Sequence, residues 1–318
     1  MSAPVVTPPE RRPSRADRPR QRPGDRVFAG STRAAGILIL VALAGVAVFL
    51  TVEGAPALNA PSDALFGAPN FLRFVGPLLF GTLLAAVLAL LIATPLSIGV
   101  ALVISHYAPR RMARPVGYAV DLLAAVPSVV YGLWGLGFLG TRLAPAYEWL
   151  ADHLGFIPFF AGPASATGKT ILTAGIVLAI MAIPIITAIT REVFLQTPKL
   201  HEEAALALGA TRWEMIKMAV FPYAKSGIVS AVMLGLGRAL GETMAVAMVL
   251  SASGIVTLNL VSSDNPSTIA ANIALQFPES TGLRVNALIA SGLVLFVITF
   301  IVNFAARAVV ARSDRGRL

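Results

Sequence analysis

The 318-residue sequence contains no cysteine and only three histidines, His106, His153 and His201. Without cysteine there is no disulfide and no thiolate metal centre, and three scattered histidines do not assemble a metal site. Charge is also scarce. Asp, Glu, Lys and Arg make up 13% of the residues, where a soluble globular chain carries about a quarter. Acidic residues are the rarer sign, 16 against 25 Lys and Arg, for a net charge of +9. A basic excess can point to nucleic acid, but the placement of these charges points to a bilayer. What fills the chain is apolar: 56% of residues are hydrophobic and the mean hydropathy is +0.78.

Residues 1–33 hold eight arginines, six prolines and three acids. Repeated proline and the lack of a sustained apolar face predict a disordered basic arm on the cytosolic side. The apolar run that follows is too long for a signal-peptide core, so it reads as a retained anchor. Spans are expected at 34–52, 77–105, 116–140, 170–190, 227–251 and 285–306, each long enough for a hydrocarbon layer of roughly 30 Å. Pro95, Pro127 and Pro184 fall inside three of them. Such helices need neighbouring protein to satisfy the carbonyls that proline frees. The runs are continuous rather than alternating, which excludes a β-barrel.

With the N-terminus inside, 20 Lys and Arg fall on inner segments and four, Arg73, Arg142, Lys169 and Arg284, on outer ones. The asymmetry predicts six spans in an inner membrane with both ends, including a basic tail at 307–318, in the cytosol. The outer segments 53–76, 141–169 and 252–284 are too small for a separate ligand-binding domain. Within them, Gly155–Gly162 is apolar and short enough to dip back toward the membrane, and Ser262–Pro266 reads as a turn. A solute taken from outside needs another protein to capture it first.

The string from Pro163 to Thr170 imitates a phosphate-binding loop, with proline in place of the first glycine. Such a loop needs flexible backbone after a strand. This one sits at the outer end of an apolar helix, so the chain is not expected to bind ATP, and Lys169 reads as an interfacial side chain.

The segment 191–226 is the most structured polar stretch. After Pro198 a short helix is expected over 201–208, ended by Gly209. Thr211 and Glu214 form a capping box for a second helix that stops near Pro222. Glu203, Ala204, Ala205, Gly209 and Pro222 together resemble the EAA loop of binding-protein-dependent ABC transporter permeases. Ala219 and Phe221 depart from that family's usual aliphatic residue and leucine. Three further strings, Gly235–Val246, Ala125–Gly135 and Gly155–Phe160, resemble the PstC branch of phosphate-transport permeases. The resemblance covers roughly residues 34–306.

It implies an all-α, MetI-like six-helix permease domain that is itself no enzyme, with 191–226 as its coupling loop. It also implies a phosphate import complex: a PstA-like partner permease, a PstB-like ATPase dimer and a PstS-like phosphate-binding protein. ATP and Mg would be used by the ATPase, with no cofactor on this chain and no nucleic acid among its partners.

The residues themselves mark one intramembrane site. Arg238 and Glu242 fall at i and i+4 of the fifth expected span and so share a helix face. Charges at that depth are costly and face protein or a water-filled path. They form either a structural ion pair or an oxyanion contact, in which Arg238 supplies donors and Glu242 positions them and prevents overly tight binding. The resemblance assigns both to the phosphate path. Ser128, Tyr131 and Thr243 either line that path with hydroxyls or serve packing. Gly235, Gly237 and Gly241 allow close backbone approach. A permease for sulfate or molybdate, a secondary transporter and a membrane scaffold remain the alternatives. The secondary transporter predicts inverted repeats, and none is evident.

Overall fold

The computed structural model describes residues 23–315, and among them all regular structure is helical apart from one β-bridge between Ala252 and Asn265. Five of the described helices are long and apolar enough to cross a membrane, and a bent pair makes six. The chain is an all-α polytopic membrane protein.

It forms two units, one ending at Phe49 and one running from Leu50. The first consists, where described, of most of α1 (Pro23–Gly54), whose apolar side chains such as Ile37, Leu38 and Val41 are exposed. This helix starts at Pro23, inside the stretch expected to be a disordered arm. Proline at the first helical position and Asp25 in the first turn favour that start. The rest of the expected arm, residues 1–22, lies outside the described residues.

The second unit is built on α2 (Phe71–Leu102) and α6 (Ile171–Leu195), the most extensively paired helices, with α9 (Phe221–Gly241) against α6. Asn70 and Thr170 cap α2 and α6 by accepting the amides of Arg73 and Thr173. Ala85, Ala86, Ala89 and Ala93 are fully buried on α2 against Ala174, Leu178, Met181 and Ala182 of α6. Small side chains let the two backbones approach closely, the main source of helix affinity where no hydrophobic drive operates. Hydroxyls add cross-links at Pro184: Ser97 Oγ donates to the Ile183 carbonyl at 3.2 Å, and Thr187 Oγ1 to the Ser97 carbonyl at 3.5 Å.

Two expected spans are broken. In place of a straight helix over 116–140 there are α3 (Arg110–Ala124) and α4 (Ser128–Trp134), followed by a π-helical turn and α5 (Thr141–Leu154), with a 91° bend at the break. Pro127 is the cause: its ψ of 140° leaves the helical region, and it restricts Val126 as well. The span expected over 227–251 ends at Gly241, and a separate short helix, α10 (Met244–Val249), follows. At the far end α12 (Leu283–Arg315) continues to Arg315, into the region expected to be a tail; residues 316–318 of that tail lie outside the described residues.

The segment 251–268 leads into α11 (Ile269–Gln276); its first half is exposed and its second half, from Asn259, is mostly buried. Its centre is Asn265, fully buried in what the sequence suggests is a turn. Asn265 Oδ1 accepts the Ile171 amide at 3.0 Å, and Nδ2 donates toward the carbonyls of Lys169, Ser251 and Ser262. The Ile269 amide is taken by Thr82 Oγ1 at 2.9 Å, and a side chain at Gly81 would collide with the Ser267 carbonyl. The apolar stretch 155–162 is held to the same segment: the Leu260 backbone amide donates to the Phe159 carbonyl at 2.8 Å, and the Asn259 side-chain Nδ2 donates to the Ala161 carbonyl. The imitation phosphate loop follows no strand. Its Gly168 is packed against the Gly140 carbonyl at φ +68°, and its Thr170 caps α6.

Asn265→Ala removes the acceptor of a buried amide and strands several carbonyls, so it should destabilise the protein by about 3 kcal/mol. Thermal unfolding in detergent checks this, and an unchanged midpoint would show that the hub is not needed.

Candidate functional site

The two helix breaks lie together. Gly132 of α4 packs against Ala245 and Met248 of α10, and a Cβ at Gly132 would stand 2.9 Å from Met248 Sδ and 3.0 Å from Ala245 Cα. One turn on, Gly135 admits the side chains of Val177 and Val249. The end of α4 is thereby held against α10, and both are held against α6.

Each break is bridged by a side chain. Tyr131, buried on α4, donates its hydroxyl to the Leu123 carbonyl at 2.9 Å, spanning the bend from one arm to the other. Glu242 leaves the helix with ψ 126° and accepts the Ala245 amide at 3.2 Å, which caps α10. A carboxylate at a helix N-terminus suits the positive end of the dipole.

This overturns the shared helix face expected for Arg238 and Glu242. The helix stops between them, because Gly241 favours it weakly and the Glu242 carboxylate bonds to the following turn instead. No Arg238–Glu242 ion pair is present among the described residues. Arg238 is half-buried near the end of α9, and its Nε is buried without a hydrogen-bond partner. An unbonded guanidinium N–H in such a place is costly unless an acceptor visits it. Ser128 and Thr243 are half-buried at the starts of α4 and α10. Of the four glycines on α9, Gly227 admits Val193 and Gly235 admits Ile186, whereas Gly237 and Gly241 face open space.

The polar segment 191–226 folds as its sequence suggests up to its second helix, which does not stop near Pro222. That helix runs through a π-helical turn at Ile216–Val220 into α9, one continuous helix from Arg212 to Gly241, because Pro222 falls in the first turn of α9. The first helix, α7 (Lys199–Ala207), is followed by Gly209 at φ +85°, and α8 (Arg212–Met215) carries the complete Thr211–Glu214 capping box. Ala205 is buried with Phe194, Met215, Ile216 and Val220, while Glu203 and Ala204 are exposed. A cavity of about 570 Å³ brings Ala204, Ala205 and Pro222 together with His201, Leu208, Met218, Ala219 and Tyr223. Leu208 is 86% exposed on its rim. His106 Nε2 approaches Glu202 at 3.6 Å and ties α7 to the end of α2.

Sequence reasoning missed Arg191, which reads as a loop cation. It lies half-buried against α3, with Nη2 3.9 Å from Asp121 and Nη1 on Gly117. The available signal is the i, i+4 spacing of Gly117 and Asp121, which leaves a gap beside a carboxylate on one face of α3. No cluster of three His, Asp or Glu that would hold a metal occurs among the described residues.

Comparison with known proteins adds the following. Residues 93–315 match the family model described as binding-protein-dependent transport system inner membrane component. The chain is 46% identical over 311 residues to phosphate transport system permease protein PstC 2 of Mycobacterium tuberculosis, covering 94% of this chain and 95% of that protein. It is 40% identical to phosphate transport system permease protein PstC of Mesorhizobium japonicum, covering 91% of each. A crystal structure of a bacterial ABC transporter that imports alginate contains a chain with a similar fold. The TM-score is 0.57 at 19% identity, over 90% of this chain and 96% of that one.

Proposed function

The chain belongs to the family of binding-protein-dependent transport system inner membrane components, and we propose from that premise that it is the permease subunit of an ATP-driven phosphate importer. The reading rests on one observation, the buried and unpartnered N–H of Arg238 at a helix break, in a chain whose relatives are phosphate transport permeases. Arg238 offers passing phosphate a charge-assisted hydrogen bond. Glu242, engaged with α10, places one negative charge at the same break and keeps the anion from lodging there. Ser128, Tyr131 and Thr243 complete the lining. Tyr131 already donates to Leu123, so toward phosphate it acts by fixing the bend.

The partners follow the same logic. Gly237 and Gly241 of α9 face open space, where a PstA-like permease closes the path. A PstB-like ATPase dimer, using ATP and Mg, grips the exposed Glu203, Ala204 and Leu208 beside Pro222. A PstS-like protein delivers phosphate from outside. Residues 34–306 act as the permease domain and 191–226 as its coupling loop, with both termini in the cytosol.

Reconstituted with these partners in proteoliposomes, the chain should support ATP-dependent uptake of phosphate in preference to sulfate or molybdate. Arg238→Ala should reduce phosphate uptake at least about 100-fold while the complex still assembles, as expected when a desolvated charge contact is lost. Uptake of another oxyanion would discard the specificity, and full uptake by the variant would discard the path. Gly209→Val forces a side chain into a left-handed turn and should uncouple ATP hydrolysis from uptake. If the two rates stay in their normal ratio, the loop does not couple them. Because the chain lacks cysteine, single cysteines report topology cleanly. In intact cells Ser280→Cys should react with an impermeant maleimide while Ser31→Cys and Ser226→Cys stay protected, and the reverse pattern would invert the orientation.

A further inference from the structure

A second cavity of about 570 Å³ opens where the turn that follows α2, one face of α3, the end of α6 and the first residue of α7 meet. Its polar wall is Arg114, Arg191, Lys199, Tyr118, Ser105 and Asp121. Three cations therefore face one carboxylate, and that carboxylate stands 3.9 Å from Arg191. The pair does not satisfy Arg191, whose Nε is buried with no hydrogen-bond partner. Gly117 makes room for the guanidinium, since any side chain there would collide with Nη1. The α3–α6 contact thus holds an arginine in a fixed pose with a donor unused. Lys199 begins α7 after Pro198, and no side chain caps that helix, so the dipole adds to the positive field.

An unused, immobilised guanidinium donor flanked by two further cations suits a planar or tetrahedral oxyanion. The opposite wall is apolar, with Ile104, Ala108 and Leu195. We propose that this cavity is a second binding site for a phosphate group, at the coupling-loop end of the helices and separate from the break at Arg238. The group is either the headgroup of an acidic phospholipid, with the apolar wall against its glycerol and acyl carbons, or inorganic phosphate. The proposal does not depend on Arg238 carrying the solute.

The test uses the assembled transporter and the R114Q/K199Q variant. Arg114 and Lys199 are both exposed, so the variant spares the Arg191–Asp121 packing. Native mass spectrometry counts phosphatidylglycerol retained from mixed nanodiscs, and radiolabelled phosphate is titrated in nanodiscs of phosphatidylcholine alone. Loss of one retained phosphatidylglycerol per chain identifies the lipid. Loss of one class of phosphate sites, weakened on the order of tenfold or more by removal of two cations, identifies the free ion. Equal lipid retention and equal phosphate binding in both proteins would overturn the proposal.

Discussion

Opened backbone inside a membrane has no water to bond with, so the protein itself must satisfy it. That constraint explains the centre of this molecule. Two helices break, at 125–127 and at 242–243, and each break is spanned by one side chain: Tyr131 reaches back to the Leu123 carbonyl, and Glu242 takes the Ala245 amide. Gly132 and Gly135 have no side chains to keep α4 away from α10 and α6, so the breaks stay side by side. Arg238 is the group this economy leaves with an unused donor.

The polar segment 191–226 is bound to the helices by burial as well as by chain connection. Ala205, Met215, Ile216 and Val220 share one cluster with Ala101 and Leu102 of α2 and Phe194 of α6. His106 and Glu202 add a polar tether beside it. A push on α7 is therefore delivered to the ends of the two helices that form the core. The surface left over, Ala204 and Leu208 beside Pro222, is apolar and concave.

Much of this was legible in the sequence. Long apolar runs identify the spans because hydrophobic length is a direct physical requirement, and the capping box and Gly209 are local chemistry that needs no tertiary partner. The breaks were harder. Pro127 is visible, but a proline in a membrane helix can kink or interrupt it, and only the tie from Tyr131 to Leu123 distinguishes the two. Glu242 was placed on the Arg238 face because periodicity continues through Gly241, whereas the carboxylate bonds to the next turn. Arg191 and Asn265 were hard to read for a different reason. Arg191 meets Gly117 and Asp121, and Asn265 meets Lys169 and Ile171, all 70 or more positions away in the chain.

Asn265 also has a chemical history written into its neighbour. Asparagine ages when the following backbone nitrogen attacks the side-chain amide and releases ammonia. Here that nitrogen belongs to Pro266, which carries no hydrogen and cannot close the ring. The product of ageing would be an aspartate whose carboxylate faced the carbonyls of Lys169, Ser251 and Ser262 in a fully buried place. The dipeptide thus blocks the succinimide route by which this hub would turn into a buried charge.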